Sequence, residues 1–286
     1  MRCDAHNLSP TVLRNALTRM SRLMNLFSAA FVIAGIALVG CGGASSTPSV
    51  KPFPTVNSAA LERNSPAWQK AWTEVAKISD APRVALTELR RGDRNEKVVA
   101  LTFDDGPHGP STQHLLQILR EENVKATFFL VGKMAQKYPH LVKLIAAEGH
   151  ELGNHTFSHA CLTKVTDEEA QADYEACSDV IQSLTGKRPK VCRPPGGDID
   201  NAVINAGASL GMTTVLWTDD PGDYYERDEQ VILDRTLAKA NNGGIILLHD
   251  GIPQMLDVLP TIIQTLRARG FKIVTASELA ELKQRK

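Results

Sequence analysis

Residues 97–107 read Lys97-Val98-Val99-Ala100-Leu101-Thr102-Phe103-Asp104-Asp105-Gly106-Pro107, a β-rich run that stops on two carboxylates and a turn. Apolar runs of strand length recur at 126–131, 150–154, 190–193, 213–217, 244–249 and 271–274. Helix-like stretches lie between them, at roughly 111–122, 139–147, 167–185, 201–210, 228–242 and 254–269, with a last one from Ser277. Repeated βα units predict a parallel sheet with helices outside, open or closed into a barrel. In such barrels chemistry collects at the C-terminal ends of the strands. The residues that follow each run therefore decide what the chain can do.

Those residues are reactive ones. Asp104 and Asp105 end the first strand; adjacent carboxylates repel unless a cation or a division of roles separates them. Asp-Gly-Pro is also ordinary turn chemistry. After the third strand come His155-Thr156-Phe157-Ser158-His159. Histidines at i and i+4 share one face of a helical turn, a spacing at which two imidazoles can bind one metal. With a carboxylate such as Asp105 they make a two-histidine, one-carboxylate set with open positions, the layout in which a metal activates water. Cys192-Arg193-Pro194-Pro195-Gly196 closes the fourth strand, and the first free amide after the stiff prolines belongs to Gly196. A fixed amide there can serve as an oxyanion donor. Trp217-Thr218-Asp219-Asp220-Pro221-Gly222-Asp223-Tyr224 follows the fifth strand, and the sixth runs Leu247-Leu248-His249.

Together these five segments resemble the polysaccharide deacetylases, carbohydrate esterase family 4, which share the NodB-homology domain. The resemblance covers about 97–275, in the family's motif order. It implies a distorted (β/α) barrel and metal-dependent removal of acetyl groups from N-acetylated sugars. It further implies Asp104 as the base, with Asp105, His155 and His159 as ligands to one divalent ion, Zn²⁺ first among candidates. Arg193 then orients the base, His249 is the general acid and Asp223 its partner. Gly196 stands where the family's oxyanion amide lies, and Trp217 and Leu247 help line the acetyl pocket. Two departures bear on substrate preference: Gly196 replaces the usual aromatic of the arginine motif, and Tyr224 replaces the usual Trp of the fourth motif.

Working outward, residues 97–286 form the catalytic domain, and 65–96 are expected to be an N-terminal extension. Ser65 and Pro66 open a helix running to Ile78, and Val84–Leu89 is expected to form a hairpin with Lys97–Phe103 across Arg91-Gly92-Asp93. Residues 41–64 are rich in Gly, Ser and Pro and read as a flexible tether. Residues 1–40 combine four arginines with a short apolar stretch, too short to span a bilayer, and read as a secretory signal whose true start is Met20 or Met24. Its exit, Leu38-Val39-Gly40-Cys41, resembles the lipobox of bacterial lipoproteins and implies acylation at Cys41. An ordinary signal peptide or a short anchor is the alternative.

An exported chain anchored to a bacterial membrane meets cell-envelope polysaccharide, so N-acetylglucosamine within peptidoglycan is the first substrate expected. O-acetyl esters such as acetylated xylan come second. A cell-wall-binding lipoprotein without turnover is a rival, opposed by the complete acid, base and ligand set; a two-metal phosphoesterase lacks the extra ligands. Lys+Arg and Asp+Glu are equal at 32 each, which argues against nucleic acid as a partner. No obligate protein partner is evident. Cys161, Cys177 and Cys192 allow at most one internal disulfide.

Overall fold

Strand β2 (Val98–Asp104) is buried from end to end, so its pleat must suit both faces of the sheet. In the computed structural model, which describes residues 88–284, Val99, Leu101 and Phe103 join a large apolar layer beneath the helices. Val98 and Ala100 belong to a separate inner cluster. The next two inner positions are Thr102 and Asp104, where the interior turns from apolar to polar. Along one side β2 pairs with β7 (Gly244–His249); along the other it pairs first with β8 (Lys272–Val274) and then with β3 (Thr127–Leu130), all in parallel.

The sheet continues from β3 through β4 (Glu151–Asn154), β5 (Val191–Cys192) and β6 (Thr213–Val215) to β1 (Glu88–Leu89). Beyond β6 the chain turns back onto β7. Asp219 bridges Ile246, and the Leu247 N–H donates to the Asp219 carbonyl at 2.9 Å. That contact closes the sheet into a distorted (β/α) barrel, with β1 wedged into the lower part of the seam. Outside it lie α1 (Gly109–Glu121), α2 (Gly132–Lys137), α3 (Pro139–Ala147), α4 (Asp167–Thr185), α5 (Asn201–Ser209), α6 (Glu229–Lys239) and α7 (Pro253–Ala268). The last helix, α8 (Ala276–Gln284), instead sends Ala276 and Leu279 into the inner cluster with Val98 and Ile245.

The expected hairpin across Arg91-Gly92-Asp93 does not form. β1 pairs in parallel with β6, Glu88 opposite Thr214 and Leu89 opposite Val215, and β7 separates it from β2. Leu89 is thereby 3% exposed inside the barrel, where a hairpin edge would leave one side of it open to water. The connection is pinned by the Gly92 N–H, which donates to Gly243 O at 2.8 Å. The backbones approach so closely that a Cβ on Gly243 would lie 2.6 Å from the Asp93 carbonyl oxygen. β1 is thus part of the barrel rather than of an extension. The helix expected from Ser65, the tether and Cys41 lie outside the described residues. Helix boundaries fell close to expectation where caps are strong: α4 opens on a Thr166–Glu169 capping box and closes on Gly186 at φ 75°. Helix α2 was not foreseen. Among the described residues Cys161, Cys177 and Cys192 are all free and buried, so no disulfide forms between them.

The seam residue Asp219 is 1% exposed, and neither carboxylate oxygen has a partner among the described residues. Burial raises its pKa to about 7; the charge of Lys239 opposes this and that of Asp220 adds to it. The folded protein therefore keeps this proton to a higher pH than the unfolded chain, and stability falls as pH rises from about 4 toward 7. Asp219→Val is expected to raise stability at pH 8 by roughly 1–3 kcal/mol and to change it far less at pH 4. Urea unfolding at the two pH values checks this; an equal gain at both would contradict it.

Candidate active site

Strands β2 and β7 end side by side, with Asp104 opposite His249 and Thr102 opposite Leu247 in the ladder. Period-two alternation puts all four on the inner face. Arg193, just after β5, reaches across the barrel to them. Its guanidinium is fully buried and donates to Asp104 Oδ1 at 2.7 Å, Thr102 Oγ1 at 2.9 Å, Val215 O at 3.0 Å and Leu216 O at 3.2 Å. The Phe129 ring lies 4.2 Å from it and the Trp217 ring 5.6 Å. A buried charge is tolerable only when paired and hydrogen-bonded, as this one is. One oxygen of Asp104 is thereby fixed.

Asp105 would point away from Asp104 if the strand continued. Its φ of 71° breaks the alternation, and both carboxylates line the same cavity of about 130 Å³. Asp105 Oδ1 lies 3.0 Å from His159 Nε2 and 3.4 Å from His155 Nε2. Burial works against its charge, but hydrogen bonds and charge from the two imidazoles hold it well below the ordinary carboxylate range. His155 Nδ1–H donates to Arg193 O at 2.7 Å, which leaves Nε2 facing the cavity. For His155 burial disfavours protonation, yet the charges of Asp104 and Asp105 outweigh it and raise the pKa. The same field favours a metal cation at that nitrogen. Ligand atoms of Asp105, His155 and His159 all lie within 4.8 Å of one another, and their oxygen and imidazole donors suit a divalent ion.

The two histidines do not share a helical turn, contrary to expectation. Residues 155–159 form a loop with Thr156 and His159 at φ 65° and 62°, and the imidazole rings meet edge to face at 5.1 Å. On the opposite wall His249 is held twice by Asp223: its N–H donates to Oδ2 at 2.7 Å and its Nδ1 pairs with Oδ1 at 2.8 Å. Burial lowers the pKa of this histidine, but the hydrogen bond and charge of Asp223, with Asp104 and Asp105 behind, raise it on balance. Tyr224 packs against the His249 ring at 5.1 Å. Gly196, Trp217, Asp220, Tyr224 and Leu247 complete the lining. Gly196 sits at φ 67° in a tight turn, so a side chain there is strained.

This arrangement coincides with what comparison with known proteins finds. A family model for polysaccharide deacetylase matches residues 91–215. The chain is 38% identical over 194 residues to a peptidoglycan-N-acetylglucosamine deacetylase of Bacillus cereus, covering 66% of this chain and 91% of that one. The chain belongs to the polysaccharide deacetylase family. It is also 36% identical over 203 residues to the peptidoglycan-N-acetylmuramic acid deacetylase PdaC of Bacillus subtilis, matching 71% of this chain but only 43% of that longer protein. The solved structure of PdaC superposes with a TM-score of 0.63 at 37% identity, over 68% of this deacetylase and 94% of the solved chain.

Sequence reasoning missed the residues that hold the deacetylase's histidine loop in place. Asp173 of α4, wholly buried, accepts from the Phe157 N–H and the Ser158 hydroxyl, and from the Ser158 N–H at 2.9 Å. Asn154 Oδ1 accepts from the Thr156 N–H at 2.8 Å, while its amide donates to Tyr174 O and Ser178 Oγ. The available signal was an aspartate inside the buried stripe of Ala170, Tyr174 and Cys177. Asp173→Asn is expected to keep the fold but weaken binding of an added divalent ion about 10–100-fold, the usual cost of disturbing support behind metal-binding side chains. Competition against a chromophoric chelator measures it; unchanged affinity would mean the loop holds its shape without Asp173.

Proposed function

We propose that this deacetylase is an exported hydrolase that removes acetyl groups from N-acetylglucosamine units of a cell-envelope polysaccharide, peptidoglycan first. The observation that carries the reading is the pairing of Asp104 and His249 on adjacent strand ends, with Asp105, His155 and His159 beside them. Zn²⁺ is the proposed ion, from the His₂Asp donor set. When bound, it supplies Lewis-acid polarisation of the acetyl carbonyl and acidifies water.

The rest is work for the protein's own side chains. Asp104, with Oδ1 held by Arg193 at 2.7 Å, accepts the proton of the attacking water. The Gly196 amide donates to the developing oxyanion. His249 then protonates the departing amine, and Asp223 keeps the imidazole charged and aimed. Trp217, Tyr224 and Leu247 wall the space for the acetyl group. The B. cereus relative supports the choice of N-acetylglucosamine by its own described substrate. The lipobox-like exit at Cys41 supports a lipid anchor, with the tether of 41–64 placing the domain in reach of the wall.

Acetate release from peptidoglycan, chitin oligomers and acetylated xylan, with chelator and with added Zn²⁺, tests the reading. Peptidoglycan turnover that chelator abolishes and Zn²⁺ restores is expected; none on any glycan would refute it. Asp104→Asn should stay folded and keep its metal while losing at least ~10²-fold in rate. Asp105→Ala should lose metal affinity, with activity partly recovered by excess Zn²⁺. His249→Ala should keep its metal and lose more on amides than on activated esters, whose leaving groups need less protonation. An Asp104→Asn protein without metal would overturn the division between the two aspartates. Metabolic lipid labelling should mark the wild-type chain and not Cys41→Ala.

A further inference from the structure

Asp250 is a buried carboxylate that the proposed reaction does not use. It follows His249, but the bonds that aim that ring come from Asp223. At 2% exposed, Asp250 lies instead against the first turn of α1 and the loop of residues 105–108. Its backbone N–H donates to Asp104 O at 2.9 Å, where β2 ends. Its Oδ2 accepts from the hydroxyl of Thr112, a wholly buried side chain, and the Ser111 hydroxyl approaches Oδ1 at 3.4 Å. Thr112 Oγ1 in turn accepts the N–H of His108, the N-cap of α1, at 2.7 Å. A hydroxyl has one hydrogen to donate, and here Asp250 takes it. A relay of bonds thus runs from the end of β7 through Asp250 and Thr112 to His108.

The loop it reaches needs such a hold. Asp105 has φ 71°, a conformation that a residue with a Cβ enters at a cost and keeps only where its surroundings fix it. Asp250 grips both ends of the loop, Asp104 through its own amide and His108 through Thr112. Its carboxylate also fills the space against the middle, since a Cβ on Gly106 would lie 2.5 Å from Asp250 Oδ2. The Val131 N–H donates to Gly106 O at 3.0 Å and adds a further tie. With ends and middle fixed, Asp105 Oδ1 stands 3.0 Å from His159 Nε2 and 3.4 Å from His155 Nε2.

We propose that Asp250 is a positioning residue for Asp105, acting through Thr112 and His108 to hold that carboxylate beside His155 and His159. The inference rests on the reading above that these three side chains hold a divalent ion. What the role requires at position 250 is an oxygen acceptor facing the Thr112 hydroxyl. Asparagine supplies one, with its amide nitrogen turned to Ser111 Oγ, and alanine does not. Without the acceptor the hydroxyl is left unpaired in a buried place, and the grip on His108 loosens.

Two measurements on the full chain test this. Zn²⁺ titrated against a chromophoric chelator gives affinity, and urea unfolding of the metal-free chain gives stability. Asp250→Ala and Thr112→Val should each weaken Zn²⁺ binding about 10–100-fold, the scale of losing support behind a metal-binding side chain. Thr112→Val nearly keeps the side chain's shape and leaves residues 249 and 250 untouched, so its effect does not pass through His249. Asp250→Asn and Thr112→Ser retain the acceptor and the hydroxyl, and should bind Zn²⁺ as the wild type does. Asp250→Ala/Thr112→Val should bind little worse than either single variant, because both cut one chain of bonds. A residue that only fills space would lower the urea midpoint and leave Zn²⁺ affinity alone. That outcome for Thr112→Val, or a loss in Asp250→Asn as large as in Asp250→Ala, would overturn the proposal. Wild-type protein that binds no Zn²⁺ would instead refute the reading of the cluster itself, and this inference with it.

Discussion

The buried guanidinium of Arg193 is the interaction on which the site depends. It sits where β2, β5 and the chain leaving β6 converge, and its bonds to Asp104, Thr102, Val215 and Leu216 tie those three segments together. Aromatic rings on two sides keep water from competing for it. Its own carbonyl completes the set by fixing the tautomer of His155. A single residue thus positions one oxygen of Asp104 and one nitrogen of His155. Lysine could not substitute, because one compact ammonium cannot span partners lying in several directions in a plane.

A second constraint is backbone handedness. Asp105, Thr156, His159 and Gly196 all adopt left-handed φ at strand ends around one cavity. Three of the four are not glycine, so the conformation is held by surrounding contacts rather than by intrinsic preference. Asn154 and Asp173 supply those contacts for the histidine loop. The strands deliver residues to the rim, and the left-handed positions turn their side chains toward a common point.

What could be read from the sequence follows from how local each decision is. The βα alternation and the ends of α4 were legible because periodicity and caps act within a few residues. The reactive groups were legible because Asp104, His155, Arg193 and His249 each follow an apolar run; the structure brings Asp104, His155 and His249 to one cavity, with Arg193 buried behind Asp104. The fate of Glu88–Leu89 was not, since turn residues at Arg91-Gly92-Asp93 permit a hairpin, while the choice of β6 as partner is made by the closing of the barrel. Histidine spacing was read correctly as proximity and wrongly as a helical turn, because i and i+4 also meet across a left-handed loop. Asp173 and Asp219 stayed hidden: an aspartate in a helix or after a strand looks solvent-facing until the packing around it is known.

Strand β1 has a mechanical side. It is paired to β6 over two residues and sits in the barrel seam, which closes above it where Thr218 and Asp219 meet β7. A pull applied at Glu88 reaches the barrel through this strand. Load would be borne by the few hydrogen bonds along β1 and by Leu89 in its apolar seat, while the ladder between β2 and β7 lies off the line of force. The fold therefore has a fuse: tension at Glu88 strips a two-residue strand first and leaves Asp104, His249 and the cluster of Asp105, His155 and His159 standing.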